Sequence, residues 1–142
     1  MKRVLVVDDE RDVAELVRTA LRRHGYDVEV SLHGEDALVR LRATPFDLLV
    51  VDKNLPRMHG FEVIERAQVE FPSLAVVLMT AHPEPFAVPP TAIDGYLMKP
   101  FASLAEIVSI AAAALETRRA RNEQGLLDAV VEELAPAKRR RR

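Results

Sequence analysis

The sequence predicts a doubly wound α/β domain, in which a parallel sheet of five strands lies between two layers of helices. Short apolar runs alternate along the chain with stretches whose apolar residues recur every three or four positions. This alternation is typical of buried strands that are connected by amphipathic helices. The 142 residues are 49% hydrophobic and 30% charged, an ordinary composition for one domain with a single core.

The predicted strands are five apolar runs of four or five residues. Turn-forming or charged residues bound each run, as expected for strands in a compact domain. In chain order the runs are residues 4–7, 26–30, 47–51, 75–79 and 95–98.

The predicted helices are four stretches with apolar residues at helical spacing. The first three end at His24-Gly25, before Pro45 and at Pro72, which are recognised stop signals. The apolar residues are Val13, Leu16, Val17, Ala20 and Leu21 in the first helix, Ala37, Leu38 and Leu41 in the second, Phe61, Ile64, Ala67 and Phe71 in the third, and Leu104, Ile107, Val108, Ala111 and Leu115 in the last.

Composition excludes several classes of protein. The chain has no cysteine, so it forms no disulfide, thiol nucleophile or thiolate metal site, which is in keeping with a reducing cytoplasm. No apolar run approaches the roughly 20 residues that a membrane span requires. We therefore expect a cytoplasmic protein with no membrane span.

Charge is distributed unevenly along the chain. The formal net charge is −2, but residues 138–142 are all basic, which leaves 15 basic against 22 acidic residues in the rest. An acidic body argues against a nucleic-acid surface, so no DNA-binding domain is expected. Residues 136–142 are predicted to form a basic disordered tail, with contact to phosphates or anionic lipid as the alternative.

Polar residues stand immediately after the apolar cores of strands one, three, four and five. Open parallel sheets bind ligands beyond the carboxyl ends of their strands, so these side chains are expected to converge. Three close carboxylates repel one another unless a cation shares them, and hard oxygen ligands suit Mg²⁺. A neighbouring ammonium and hydroxyl would complete a pocket for a phosphoryl group. The residues are Asp8, Asp9, Asp52, Thr80 and Lys99.

The motifs around these residues resemble the receiver domain of the two-component response regulator family, whose members are CheY-like proteins. Each motif alone is a weak signal, but four of them in the family's order make coincidence improbable. The resemblance covers residues 1–118 and implies a flavodoxin-like sheet with the strand order 2-1-3-4-5. The motifs are Val7-Asp8-Asp9, Asp52 followed by Leu55-Pro56-x-Met58-x-Gly60, Met79-Thr80-Ala81, and Tyr96-Leu97-Met98-Lys99-Pro100-Phe101.

The resemblance implies that Asp52 is a phosphoacceptor. Its carboxylate would attack the phosphohistidine of a sensor histidine kinase or a phosphotransfer protein, or a small acyl phosphate. Mg²⁺ would be the cofactor, and Asp8, Asp9, Asp52 and the backbone carbonyl of Asn54 would hold it.

The resemblance also implies how phosphorylation is detected. Lys99 would pair with one phosphoryl oxygen, and Thr80 would move to hydrogen-bond another. Tyr96 is the aromatic switch residue that would turn inward when Thr80 moves. A cis peptide bond before Pro100 would direct Lys99 into the pocket.

Each candidate residue also has an ordinary structural role as an alternative. His59 and His82 lie near the predicted pocket but lack metal-ligand spacing, and we interpret both as loop residues. The structural alternatives are a helix cap for Asp9, a turn for Asp52, a backbone hydrogen bond for Thr80, a solvated surface position for Lys99 and a core position for Tyr96.

The segment between Thr80 and Lys99 departs from the family pattern. The family has a fourth helix there, whereas this chain has prolines at positions 83, 85, 89 and 90. A proline inside a helix costs about 3 kcal/mol, so the fourth helix is predicted to be shortened or absent. The role of residues 83–90, and of the output face that includes this helix, is left open.

A second apolar stripe follows the receiver motifs and the polar run 116–124. It predicts a helical extension over residues 119–135, which is too short for a DNA-binding or catalytic domain. We expect the stripe to bind a partner, to form a homodimer with a second copy, or to fold back over the body; a frayed surface helix is the alternative. Its residues are Leu126, Leu127, Val130, Val131 and Leu134.

Two functions from different classes fit these features. The first is a phosphoacceptor signalling protein, a regulatory receiver rather than a conventional enzyme, which changes its affinity for an unknown downstream protein. The second is a pseudo-receiver that acts as a scaffold without phosphorylation. The complete polar set favours the first, because a scaffold has no need of mutually repelling carboxylates. A nucleotide- or flavin-binding enzyme lacks support, because no glycine-rich loop follows strand one.

Overall fold

The computed structural model describes residues 1–81 and 92–134, in which strands and helices alternate. The strands are β1 (Arg3–Val7), β2 (Asp27–Ser31), β3 (Leu48–Asp52), β4 (Ala75–Thr80) and β5 (Gly95–Met98). The helices are α1 (Arg11–Arg22), α2 (Gly34–Ala43), α3 (Gly60–Glu70) and α4 (Leu104–Glu133). All five predicted strands are present, and their ends differ from the prediction by no more than one residue.

The five strands form one parallel sheet in the order β2-β1-β3-β4-β5, which confirms the predicted order. In this order β1 lies beside β3, and Val7 is level with Val51. The next residues, Asp8 after β1 and Asp52 at the end of β3, are therefore neighbours at the same edge of the sheet, although 44 positions separate them in the chain.

Helices cover both faces of the sheet, as predicted. On one face, Leu5 and Val7 of β1 join a core with α2 and α3. On the other face, Val4 and Val6 join a core with α1 and α4. Because successive side chains of a strand point to opposite faces, a run that is apolar throughout supplies both cores.

The buried face of α1 differs in one respect from its predicted apolar stripe. Leu16 is 43% exposed, whereas Ala14, Val17, Ala20 and Leu21 are buried. Leu16 lies about 100° around the helix from Val17, outside the arc that faces the sheet. The prediction was therefore wrong for Leu16, because an apolar residue at the edge of a stripe does not by itself mark burial.

Helix α4 runs without interruption through the polar stretch 116–124 to Glu133. The domain boundary predicted near residue 118 thus falls inside this helix. The fourth helix is predicted to be shortened or absent between Thr80 and Lys99, and the basic tail is predicted over residues 136–142. Residues 82–91, which are most of the first segment, and the whole tail lie outside the described residues. Among the residues that the structure describes, no helix combines the length and apolarity needed to cross a membrane.

A buried carboxylate fastens the middle of α4 to the amino end of β5. Asp94 Oδ2 accepts hydrogen bonds from Arg118 Nε at 3.0 Å and from the backbone N–H of Val76 at 2.9 Å. Asp94 Oδ1 accepts one from Arg121 Nη1 at 3.1 Å. The Asp94 side chain is fully buried, and that of Arg118 is 10% exposed. We call the group formed by Asp94, Arg118 and Arg121 the arginine clamp. The clamp lies at the edge of the sheet opposite to Asp8 and Asp52.

Candidate functional site

Three carboxylates meet at the carboxyl edge of the sheet. One ligand oxygen from each of Asp8, Asp9 and Asp52 lies within 4.8 Å of the others. Asp8 is fully buried, Asp52 is 6% exposed, and Asp9 faces solvent. The backbone N–H of Glu10 donates to Asp8 Oδ1 at 2.9 Å, which fixes the orientation of this carboxylate toward its neighbours.

Lys99 reaches this cluster from the loop after β5. Its Nζ lies 2.7 Å from Asp8 Oδ2 and 3.1 Å from Asp52 Oδ1. The peptide bond between Lys99 and Pro100 is cis. Three carboxylates and one ammonium carry a formal charge of −2, which a divalent cation would neutralise.

Burial and charge change the pKa values of the two central groups. Burial raises the pKa of Asp52 above its ordinary value, and the negative charge of Asp8 adds to this effect, while Lys99 opposes it. Burial also acts to lower the pKa of Lys99, but its hydrogen bonds to Asp8 and Asp52 outweigh it and raise that pKa. Lys99 is therefore a permanent cation that keeps part of the carboxylate charge compensated.

The loop between β3 and α3 packs tightly under Asp52. The backbone N–H of Lys53 donates to Met79 O, and that of Gly60 donates to Lys53 O, both at 2.9 Å. A Cβ atom at Gly60 would lie only 2.2 Å from the carbonyl oxygen of Asp52. Asn54 lies within this loop and is exposed, so its predicted carbonyl ligand belongs to the loop that Gly60 closes.

Thr80 and Tyr96 lie on the paired strands β4 and β5. Thr80 is the last residue of β4 and is 2% exposed, and its carbonyl accepts a 2.9 Å hydrogen bond from the backbone N–H of Lys99. Tyr96 is half-buried and packs against the core that α2 and α3 share. Burial raises the pKa of Tyr96, against an opposing effect of Arg121. The predicted switch roles of both residues stay predictions.

His59 has a structural role in the loop before α3. Its Nδ1 accepts a 3.2 Å hydrogen bond from the backbone N–H of Phe61, which caps the helix. His82 lies outside the described residues.

Sequence reasoning did not find the arginine clamp, although the chain carries a signal for it. The buried residues of α4 are Ile107, Ala111, Ala114 and Arg118, at spacings of four, three and four. An arginine that continues an apolar stripe indicates a buried anionic partner, because an unpaired buried charge is costly. The partner, Asp94, precedes it by 24 residues and is recognised only once the strand order places β5 beside α4.

Comparison with known proteins identifies the family. The model of the response regulator receiver domain matches residues 4–112. The chain belongs to this family. The match covers the sheet, the carboxylate cluster and Lys99, and it ends within the first third of α4.

Curated relatives share the receiver part of their sequences with this chain. The alkaline phosphatase synthesis transcriptional regulatory protein PhoP of Bacillus subtilis (strain 168) is 35% identical over 103 residues, which are 70% of this chain and 43% of PhoP. The probable transcriptional regulatory protein TcrX of Mycobacterium tuberculosis is 38% identical over 108 residues, 74% of this chain and 46% of TcrX. The chain thus spans less than half the length of these relatives.

Solved structures give the same result for the fold. A CheY-like receiver domain protein from Methanospirillum hungatei JF-1 superposes with a TM-score of 0.78 at 25% identity, covering 85% of this chain and 98% of that protein. The response regulator TrrA from Thermotoga maritima, solved in complex with Mg²⁺ and BeF, gives a TM-score of 0.68 at 32% identity, covering 77% of this chain and 97% of TrrA.

Proposed function

We propose that this protein is a phosphoacceptor of a two-component system and that Asp52 carries the phosphoryl group. The observation that supports this most strongly is the buried group formed by Asp8, Asp52 and Lys99, with Lys99 Nζ within 3.1 Å of an oxygen of each carboxylate. Mutually repelling carboxylates are retained where a reaction uses them, because a purely structural site would be more stable without them.

The proposed reaction is a phosphoryl transfer to a carboxylate. An oxygen of ionised Asp52 attacks the phosphorus atom in line, and the bond from phosphorus to the donor breaks. The bonding electron pair leaves with the imidazole nitrogen of a phosphohistidine or with the carboxylate oxygen of a small acyl phosphate. The product is a mixed anhydride on Asp52, beside which the Lys99 ammonium can pair with a phosphoryl oxygen.

The donor set fits Mg²⁺. The candidate ligands are carboxylate oxygens of Asp8, Asp9 and Asp52, joined by the carbonyl of Asn54 that the family resemblance implies, and hard oxygen ligands of this kind suit that ion. When bound, the ion would supply positive charge that offsets the repulsion between the carboxylates and the phosphoryl oxygens. The magnesium complex of TrrA, a relative at 32% identity, supports this choice of metal.

The phosphoryl donor would be a sensor histidine kinase or a phosphotransfer protein, and the output a changed affinity for another protein. In this proposal the hydroxyl of Thr80, a buried residue at the end of β4, would hydrogen-bond a phosphoryl oxygen, as the family resemblance implies. In this proposal the protein is a cytoplasmic regulatory receiver and not a conventional enzyme. The alternative, a scaffold that does not accept phosphate, predicts a different result in the following experiment.

The test is incubation with acetyl phosphate, in Mg²⁺ or in EDTA, followed by intact mass measurement. Wild type is expected to gain the mass of one phosphoryl group in Mg²⁺ and none in EDTA. The variant Asp52→Asn is expected to gain none in either, because an amide is not a nucleophile for this reaction. The variant Asp128→Asn is the matched control, since Asp128 is exposed on α4, and it should behave as wild type.

Two results would contradict the proposal. A folded wild-type protein that gains no mass would favour the scaffold. A gain that persists in Asp52→Asn would move the acceptor to another residue.

A further inference from the structure

The last part of α4 extends beyond the body of the domain. Asn122 Nδ2 donates to the carbonyl of Ser73 at 3.3 Å, and every residue from 123 to 134 is exposed. We call residues 123–134 the projecting segment. It is about 18 Å long at 1.5 Å per residue, and a free helix of this length is marginal in water, so a contact along its side would stabilise it.

The projecting segment carries an apolar stripe along one side. Half of the large exposed hydrophobic residues of the described chain lie on it, each with 53–78% of its surface exposed. Their spacing places them on one face of a helix, with Leu127, Val130 and Leu134 at the three- and four-residue intervals of helix-to-helix packing. The residues are Leu126, Leu127, Val130, Val131 and Leu134.

We propose that this stripe is the interface of a homodimer, in which the projecting segments of two copies pack antiparallel with Val130 at the centre. The proposal does not rest on the phosphoacceptor function. Two copies together contribute ten apolar side chains to this interface. Complete burial of one such side chain removes roughly 60–120 Å² of surface from water, so at their observed exposure the ten would bury on the order of 600 Å². This is about half of the roughly 1,200 Å² at the low end of stable specific interfaces, so the dimer is expected to be weak and to form only as the concentration rises.

Charge selects the antiparallel orientation. The projecting segment contains four acidic and no basic residues, so acids repel across a pair of either orientation, and the two orientations differ at Glu123. Glu123 lies seven residues before Val130 and in a parallel pair would face its own copy in the seam, where like charges are destabilising. In the antiparallel pair each Glu123 lies beyond the partner's stripe. The two helix dipoles also point in opposite directions, which is the favourable arrangement for neighbouring helices.

The first test measures mass in solution by analytical ultracentrifugation over a concentration series. Wild type is expected to approach twice the monomer mass with increasing concentration. Val130→Glu should raise the dissociation constant at least tenfold, because it places a charge at the centre of the apolar contact. Val69→Glu is the matched control: Val69 is a valine on α3 with 83% exposure, and its replacement should leave the dissociation constant unchanged.

The second test uses the absence of native cysteine, so that a single introduced cysteine forms a disulfide only between copies. In the antiparallel pair two copies of residue 130 are level, whereas copies of Leu127 are offset by about 9 Å and copies of Leu134 by about 12 Å along the axis. A disulfide requires Cα atoms within about 7 Å. Val130→Cys should therefore oxidise to a dimer faster than Leu127→Cys and Leu134→Cys.

Each remaining outcome overturns the proposal. A monomer at every concentration would assign the stripe to another partner or to none. A dimer that Val130→Glu does not weaken would place the interface elsewhere. Equal cross-linking of Val130→Cys, Leu127→Cys and Leu134→Cys would indicate a parallel pair.

Discussion

Gly60 is the residue on which the position of Asp52, the proposed phosphoacceptor, depends most directly. Its backbone approaches that of Asp52 so closely that a Cβ atom would lie 2.2 Å from Asp52 O and 2.9 Å from the Cα atom of Lys53. Both neighbours are backbone atoms at the end of β3 and cannot rotate away. The space that a side chain would need is occupied by the strand that carries the site.

The variant Gly60→Ala is therefore expected to lower the free energy of unfolding by about 1–3 kcal/mol, the usual cost of overpacking. It should also slow phosphorylation by acetyl phosphate, because the strain is relieved by moving Asp52. Urea denaturation and intact mass kinetics measure the two effects. Gly125→Ala is the control: no heavy atom lies within 4 Å of its Cβ position, so stability should not fall. Equal effects of the two substitutions would contradict this account.

Asp36 is a second residue whose contribution to stability can be predicted, and this contribution depends on pH. Burial alone would raise the pKa of Asp36, but hydrogen bonds from Ser31 and Arg40, at 2.7 Å each, outweigh burial and lower that pKa. A carboxyl whose pKa is lower in the folded state stabilises the fold above its unfolded pKa. That stabilisation is lost as the pH falls through the folded pKa.

The variant Asp36→Asn is expected to be less stable than wild type by about 1 kcal/mol at neutral pH, since the pair is partly exposed. The difference should shrink as the pH falls below the ordinary aspartate range, near 3.8. Urea denaturation at a series of pH values measures it, with Asp128→Asn as an exposed control. A difference that is independent of pH would show that shape rather than charge accounts for the loss.

The positions of some of these residues could be predicted from the sequence and those of others could not, for a physical reason. Asp8, Asp52 and Lys99 follow apolar strands, and strand ends in a parallel sheet share an edge, so their meeting is predictable from order alone. The contacts of Gly60 and Asp94 depend instead on how closely particular backbones and helices approach. Such distances follow from packing and are not encoded in the spacing of residues along the chain.

At the scale of the element, α4 combines two different segments in one helix. Its first half buries Ile107, Ala111 and Ala114 against the sheet, and its last third is exposed on all sides. Apolar periodicity predicted both segments, because each has its own stripe. The extension predicted over residues 119–135 already includes most of the polar run, but the sequence did not predict that it joins the preceding helix without a break, since exposed polar residues fit a helix or a linker equally well.

The arginine clamp fixes the direction in which α4 leaves the body. Arg118→Met should lower the free energy of unfolding by about 3 kcal/mol, because the fully buried Asp94 carboxylate loses one of its two guanidinium partners. Arg119→Met is the matched control: Arg119 is 59% exposed and pairs with Glu116 and Glu123 on the helix surface, where solvent screens the ion pairs, so this substitution should change stability far less. Urea denaturation compares the two.

The double variant Asp94→Leu with Arg118→Met separates charge from packing. Replacing both partners by apolar residues should recover part of the stability that Arg118→Met loses. No recovery would indicate that the double variant, which also loses the acceptor of the Val76 backbone N–H, is destabilised by that loss as much as removal of the unpaired charge stabilises it.

At the scale of the whole molecule, the two ends of the parallel strands carry different groups of residues. The carboxyl edge holds Asp8, Asp52 and Lys99, while the amino edge holds the arginine clamp, and beyond it α4 carries the apolar stripe. Parallel strands make this separation possible because all their carboxyl ends lie at one edge. The fold and the meeting of Asp8, Asp52 and Lys99 at the carboxyl edge were predictable from the sequence, whereas the link from α4 to the amino edge required the packed structure.

Two truncations test whether the parts of α4 are separable. A chain that ends at Asn122 keeps the clamp and loses the projecting segment together with residues 135–142, and its free energy of unfolding should match that of the full chain within about 0.5 kcal/mol. A chain that ends at Thr117 also loses Arg118 and Arg121, which leaves the buried carboxylate of Asp94 without either guanidinium. Its stability should fall by on the order of 3–5 kcal/mol.

Both truncated chains are compared with the full chain by urea denaturation at concentrations where all are monomers, because dimerisation would add to the apparent stability. Under these conditions residues 118–122 alone account for the expected difference between the two truncations. If the chain that ends at Asn122 lost as much stability as the one that ends at Thr117, residues 123–142 would have to pack against the body in solution. A stripe covered in this way within one molecule would offer no surface to a second copy.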